Sequence, residues 1–363
     1  MRLGIDVRKA WDGGIGRYIR NLVEGLLPLG VVQKIHLWHR PGDPFLKGEH
    51  NKVVRHVEKA VPYRFFEQVS LRRKINEADL DLFFSPHYVV PIGLKMPLAV
   101  MIHDVIHLVF PKSLFHRGYA LTQMGHAIRT ARVILTPSEF SRREILRFFP
   151  QASGKIYAIP HGLEASFSGG PIEGEEGIVR RLKLPERYLF YVGNHKSHKN
   201  LFQLLEICQK LFERFSDLYL CLTGDETEEG GNLLREIRRR GIQERVRFLG
   251  TLDNEALRVG YRNALCFVFP SLYEGFGFPP LEAMACGTPV VAFRVASLPE
   301  VVGEGGLLVR RGDSKEFYEA VRMMVEREEF RREWGERGKQ KAAEFRWEAS
   351  IAKHIEIFQR VLS

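Results

Sequence analysis

Residues 266–293 read CFVFPSLYEGFGFPPLEAMACGTPVVAF, and their order predicts a strand, a loop, a helix and a second strand. The apolar run 266–269 has the length and composition of a buried strand. A loop follows from Ser271 to Phe278. Pro279 and Pro280 open a helix, where proline's fixed φ suits the first turn. Gly287 ends that helix, and Thr288–Pro289 leads into a strand over 289–293. Gly275 and Gly277 stand just before the helix N-terminus, so backbone N–H groups there can approach an anion that the helix dipole favours. Glu274 and Glu282 flank this point. Carboxylates repel a bare phosphate but accept strongly from hydroxyls. The predicted ligand therefore carries both phosphate and hydroxyl groups, as a nucleotide sugar does. Taken singly, either glutamate reads equally as a dipole partner or a solvated loop charge.

Outward from this segment, short apolar runs alternate with amphipathic stretches. Strands are expected at 2–6, 33–38, 81–84, 97–102, 132–136 and 155–159, then at 188–193, 218–223, 246–249, 266–269 and 289–293. Helices are expected between them, among others at 16–28, 64–76, 116–130 and 139–149. Such alternation predicts α/β domains with mainly parallel sheets. A Gly/Glu/Ser-rich stretch interrupts the pattern, which gives a first domain at 1–163, a linker at 164–186, a second domain at 187–345 and a terminal helix at 346–363. Two such domains are expected to face each other across a cleft, with ligands at the carboxyl ends of the strands.

Three further segments lie at expected strand ends. Residues 191–201 (YVGNHKSHKNL) place Asn194 and Lys199 between a strand and a helix. A lysine there opposes the helix dipole, so an anionic ligand explains Lys199 better than a plain helix start does. Residues 12–18 (DGGIGRY) form a Gly-rich turn after the first strand. His103–Asp104 ends the apolar run 97–102, where a catalytic group belongs in a parallel sheet. Ser138 reads as a helix N-cap. The D-x-D at Asp79–Asp81 precedes a strand, so it reads as a turn and not as a metal motif.

These segments resemble the family-4 retaining glycosyltransferases of the GT-B fold, whose signature P-S-x-x-E-G-F-G-x-P-x-x-E-A-M-A-x-G-x-P-V runs here from Pro270 to Val290. The resemblance implies two Rossmann-like domains, with the C-terminal helix returning to the first. It implies catalytic roles for His103, Glu274 and Lys199. Donor-binding roles fall on Gly14, Gly16, Asn194, Lys199, Gly275, Phe276, Gly277 and Glu282, with Glu282 on the ribose, Glu274 on the sugar hydroxyls and Lys199 on the diphosphate. Asn194 stands where many members carry an arginine. Asp12, His87, Asp104 and His107 are the implied acceptor-side residues, with Asp104 orienting the His103 ring. No metal and no other cofactor is implied. The implied reaction is retaining hexosyl transfer onto a glycan or lipid-linked acceptor, with GDP-mannose as the donor and UDP-glucose as the runner-up. A nucleotide-sugar epimerase and a basic membrane- or nucleic-acid-binding module are the readings from other classes.

Composition narrows the classes further. The 363 residues include only four cysteines, too few and too scattered for a disulfide scaffold or a zinc ribbon. The net charge is +10, and residues 1–160, with 24 Lys+Arg and 13 Asp+Glu, hold the whole excess. Such a basic half reads either as a surface for nucleic acid, anionic lipid or a phosphorylated substrate, or as plain solubility with thermophilic charge enrichment. The stretch 61–75 (VPYRFFEQVSLRRKI) mixes aromatic and basic residues and reads either as a membrane-surface helix or as an ordinary surface helix. No nucleic-acid motif is present. The sequence start reads as a strand, not a leader, so the expected location is cytoplasmic, with peripheral contact at the inner membrane face.

Overall fold

The computed structural model describes residues 1–45, 50–59, 65–167, 170 and 172–363, with residues 65–69 described by backbone alone. The chain forms two compact units, one of Met1–Gly162 with Arg346–Ser363 and one of Leu163–Phe345.

The first unit is built on seven parallel strands: β1 (Arg2–Asp6), β2 (Lys34–His39), β3 (Val53–Val57), β4 (Leu82–Ser85), β5 (Leu98–Met101), β6 (Val133–Thr136) and β7 (Ile156–Ala158). Their spatial order is β3-β2-β1-β4-β5-β6-β7. β4, β5 and β6 are buried along their whole length, as strands covered on both faces must be. The chain leaves β1 toward one side of the sheet and returns through β4 on the other. This reversal opens a crevice at the carboxyl ends of β1 and β4.

The second unit repeats the device. β8 (Tyr188–Tyr191), β9 (Tyr219–Leu222), β10 (Val246–Phe248), β11 (Cys266–Phe269), β12 (Val290–Phe293) and β13 (Leu307–Val309) lie in the order β10-β9-β8-β11-β12-β13. Here the reversal falls between β8 and β11, the two strands that lead into the Lys199 and Glu274 segments.

The stretch 164–186, expected as a linker, lies within the second unit. It carries helix Glu175–Leu182, and Phe167 is fully buried with its ring 6.2 Å from that of Tyr261. Glu175 reaches Asn263 at 2.8 Å and Arg262 at 3.5 Å. Those apolar and polar anchors fold a segment whose Gly/Glu/Ser composition alone predicts none.

Helix Trp347–Leu362 packs on the first unit, burying Ile351, His354 and Phe358 against helix Gly13–Leu26 and the sheet. His354 Nδ1 lies 2.7 Å from the Ser350 carbonyl, so it carries the proton, and Nε2 then accepts from the Tyr18 hydroxyl at 2.8 Å. Burial lowers the His354 pKa from 6.5 to about 4. A depressed folded-state pKa means that the unfolded chain takes up the proton first as pH falls. The contribution is complete above pH 6.5 and is lost between 6.5 and about 4, at up to about 3 kcal/mol. His103, also held near 4 by burial, acts with the same sign. Urea midpoints should therefore fall between neutral pH and pH 4, and His354→Gln should flatten that slope. An unchanged slope in the variant would remove His354 from this role.

Asp79 and Asp81 pair with Arg2 at the turn into β4, as the turn reading of the D-x-D requires. Of the stretch 61–75, residues 61–64 lie outside the described residues. Within the remainder, helix Phe65–Glu77 turns Leu71 and Ile75 inward and exposes Arg72 and Arg73. Among the described residues, no helix is long and apolar enough to cross a membrane.

Candidate active site

In the second unit, two loops separated by 75 residues meet because β8 and β11 are neighbours at the reversal. Ser197–Lys199 forms a tight turn, and Asn200, in the left-handed region at φ +57°, redirects the chain into helix Leu201–Arg214. From this turn the Lys199 ammonium reaches Glu274 Oε1 at 2.6 Å and lies 5.3 Å from the Phe269 ring centre. Both charged side chains are largely buried, at 10% and 14% exposure. The His198 carbonyl accepts from Leu272 N–H at 2.8 Å, which binds the two loops to each other through the backbone.

The loop Ser271–Gly277 is held from below by one hydroxyl. Ser297 Oγ donates to the carbonyls of Phe276 (2.6 Å) and Glu274 (3.0 Å). Those two carbonyls are thereby turned onto the Ser297 side of the loop. Gly277 has φ +118°, and a Cβ there would come within 3.0 Å of Leu298. Only glycine takes that turn without strain, immediately before helix Phe278–Ala285. Glu282 lies on that helix at 2% exposure and accepts from the Tyr261 hydroxyl at 3.1 Å. Gly275 and Phe276 sit in the loop itself, with Phe276 buried. The structure thus brings Lys199, Glu274, the 275–277 backbone and Glu282 into one region of the second unit.

Asn194 is exposed at the start of the Lys199 loop. Its Oδ1 accepts from Lys196 N–H at 3.3 Å, and its carbonyl accepts from Tyr191 OH at 2.9 Å. Glu228, which carried no signal in the sequence, clamps this loop by accepting from His195 N–H (3.1 Å) and Asp225 N–H (3.2 Å). His195 is itself fixed by a 2.9 Å contact from Nε2 to the Thr223 carbonyl.

In the first unit, the carboxyl ends of β1, β4 and β5 gather a polar cluster. His87 Nε2 lies 3.1 Å from Asp6 Oδ2. Arg8 donates to both oxygens of Asp6, at 2.9 and 2.7 Å. All three side chains are at most 2% exposed. Arg8, reinforced by the His87 hydrogen bond, overrides burial and holds the Asp6 carboxyl far below the usual carboxylate range. His87 is therefore a buried member of an ion-pair network and not an open acceptor-side group. Asp6 and Arg8 were not singled out from sequence; their only signal is two opposite charges at the end of an apolar strand.

His103 follows β5. Its Nε2 meets the Pro86 carbonyl at 3.1 Å, its own carbonyl accepts from Ser141 Oγ at 3.0 Å, and its ring lies 5.3 Å from that of Tyr18. Burial lowers its pKa to about 4, so the ring is neutral near pH 7. The expectation that Asp104 orients this ring is corrected. Asp104 Oδ1 accepts from Ile106 N–H at 2.9 Å, at the start of the short helix Ile106–Val109, while the carbonyl of Pro86 meets the imidazole Nε2. His107, on that helix, packs against His116 at 4.8 Å. Gly13 opens helix Gly13–Leu26, with Asp12 as its N-cap residue 3.6 Å from Lys9, and Gly14 is exposed in the first turn. Gly16 has a packing reason of its own, since a Cβ would stand 2.5 Å from the Ala10 carbonyl oxygen. Ser138 caps its helix, accepting from Ser141 N–H at 3.1 Å.

Comparison with known proteins bears on the family and the fold. Residues 12–167 match the family described as Glycosyltransferase Family 4, and residues 176–341 match Glycosyl transferases group 1. Among relatives, the O-antigen chain mannosyltransferase B of Escherichia coli is 27% identical over 95% of this chain and 96% of its own length. The MMP alpha-(1->4)-mannosyltransferase of Mycolicibacterium hassiacum is 29% identical over 69% of this chain and 60% of its own. Among solved structures, sucrose-phosphate synthase from Thermosynechococcus elongatus superposes with a TM-score of 0.79 at 21% identity, covering 99% of both chains. HepE of Anabaena, solved with UDP and glucose, superposes with a TM-score of 0.78 at 18% identity over 99% of this chain and all of its own. The two switch-point sheets are those of the GT-B fold. The chain belongs to the family-4 glycosyltransferases, and it is a hexosyltransferase.

Proposed function

We propose that the protein transfers mannose from GDP-mannose to a hydroxyl of a glycan or lipid-linked acceptor, with retention of configuration. The observation that carries this reading is the convergence at one sheet reversal of Lys199, Glu274 and Glu282 around a helix N-terminus. In it, Glu282 accepts from the ribose hydroxyls and Glu274 from hydroxyls of the sugar. The 275–277 amides and Lys199 meet the diphosphate. Mannose is favoured over glucose by the relatives' names and by Asn194 at the position where many members carry arginine.

As the bond between sugar C1 and the phosphate oxygen breaks, its electron pair passes to the diphosphate. Lys199 and the loop amides are placed to stabilise that developing charge, an electrostatic contribution that needs no reorganisation. The acceptor oxygen bonds to C1 on the face the diphosphate leaves, and its proton passes to the departing phosphate oxygen. No carboxylate is assigned as a nucleophile. Lys199 is taken as the cation for the diphosphate, so donor binding should not depend on an added divalent ion. His103, neutral at pH 7, is assigned to the sugar and acceptor side. Asp12, Gly14, Gly16 and His107 stay with the first unit's share of substrate contacts. A cytoplasmic location, with the basic stretch 61–75 touching the inner membrane face, completes the proposal.

Melting-temperature shifts with GDP-, UDP- and ADP-sugars test it, because a ligand that binds only the folded state raises stability by mass action. GDP-mannose should give the largest shift. A larger shift with UDP-glucose would move the assignment to a glucosyltransferase, and no shift with any sugar nucleotide would defeat it.

A further inference from the structure

Leu114 and Phe115 begin helix Leu114–Thr130 with their side chains 84% and 86% exposed. Soluble proteins seldom leave two large apolar groups so open side by side. They are not isolated. Leu121, one helical heptad beyond Leu114, is 47% exposed, and Val109 on the adjoining short helix is 38% exposed. Ile92, 58% exposed, belongs to the loop whose Pro91 carbonyl hydrogen-bonds His126 of the same helix. The other face of this helix, with Ala120, Met124, Ala127 and Ile128, is fully packed inward. An inward apolar face therefore backs an outward one that is also apolar.

Along the chain, the charge flanking this outward face has one sign. From Val105 to Ser138 the sequence contains no Asp or Glu, while Lys112 and Arg117 bracket Leu114 and Phe115 and are themselves exposed. A second copy of the chain would set like charges opposite each other in an isologous contact. Exposed leucine and phenylalanine ringed by cations suit the boundary of a bilayer with anionic headgroups, where apolar tips enter the acyl region and basic groups stay at the phosphates. We infer that the N-terminal end of helix Leu114–Thr130 is a docking face for an anionic phospholipid bilayer. This face is distinct from the stretch 61–75 and does not depend on the sugar-transfer assignment.

Vesicle flotation tests it with the full-length protein. The probes are phosphatidylcholine vesicles and vesicles containing phosphatidylglycerol at about one third, a composition with a negative surface potential. The wild type should partition to the anionic vesicles roughly tenfold or more above the neutral ones. Leu114→Ser/Phe115→Ser should lose roughly tenfold or more of that binding. Lys112→Glu/Arg117→Glu should erase the preference for anionic lipid. All four positions are exposed, so melting temperature and nucleotide-sugar binding should stay unchanged in both variants, which separates this result from failure of the transferase reading. The inference is overturned if the wild type ignores lipid charge or if the serine pair floats as the wild type does. A wild-type dimer in sedimentation velocity that the serine pair dissociates would also overturn it, giving the face to a second copy.

Discussion

Lys199→Ala should lower kcat/KM for sugar transfer by about a hundred- to a thousandfold. Among the described residues, the ammonium is the one side-chain cation held in an ion pair with Glu274, in a turn fixed by Asn200 and by the His198–Leu272 backbone bond. On the proposed reading, removing it withdraws positive charge from where the leaving diphosphate gathers electrons, beside a largely buried carboxylate. It also leaves Glu274, at 14% exposure, without its 2.6 Å partner, and a buried carboxylate without its cation is costly. The loss should therefore appear in donor affinity as well as in turnover. Steady-state kinetics, with melting temperature as a check on folding, measure it. Turnover within a few-fold of wild type would discredit the role assigned to Lys199.

Glu282→Gln should raise the donor KM by roughly 10- to 100-fold while leaving kcat nearly unchanged. The substitution preserves shape and keeps an oxygen for the Tyr261 hydroxyl, now 3.1 Å from the carboxylate. It removes the charge that makes a carboxylate the stronger acceptor for the ribose hydroxyls that the proposed reading places on Glu282. A ribose contact is made equally in the bound and the reacting complex, so its loss belongs in KM. Equal effects on kcat and kcat/KM would instead place Glu282 at the reacting sugar.

The sheets were legible because their central strands are short, continuous apolar runs such as Leu82–Ser85 and Val133–Thr136. β3 escaped notice because it is an edge strand, Val53–Val57, whose half-buried and exposed residues include Arg55 and His56. β13 is only three residues long and follows a glycine-rich turn. Helix Glu328–Ala342 was also missed. Its sequence is highly charged and interrupted by Gly335 and Gly338, residues that weaken a helix. The structure explains both glycines. A Cβ at Gly335 would stand 2.4 Å from the Gly287 carbonyl oxygen, and one at Gly338 would crowd Gly305 and Met284. The glycines let this helix lie directly on helix Phe278–Ala285, which carries Glu282.

For the site, residue identities were legible where they sit in one continuous segment, as with Glu274, Gly275, Gly277 and Glu282. Long-range partners were not. The supports of that segment, Ser297 and Tyr261, and the clamp Glu228 act across 21 to 33 residues and follow no spacing rule. Likewise, the Asp6–Arg8–His87 network depends on β1 lying beside β4, so the buried character of His87 becomes visible only once the strand order is known.

Calorimetric titration of GDP-mannose into the wild type and into Lys199→Ala tests the donor assignment most directly. The account predicts saturable heat at one site per chain in the wild type and at least a tenfold weaker isotherm in the variant. Identical isotherms would contradict it, as would silence from the wild type toward every sugar nucleotide offered.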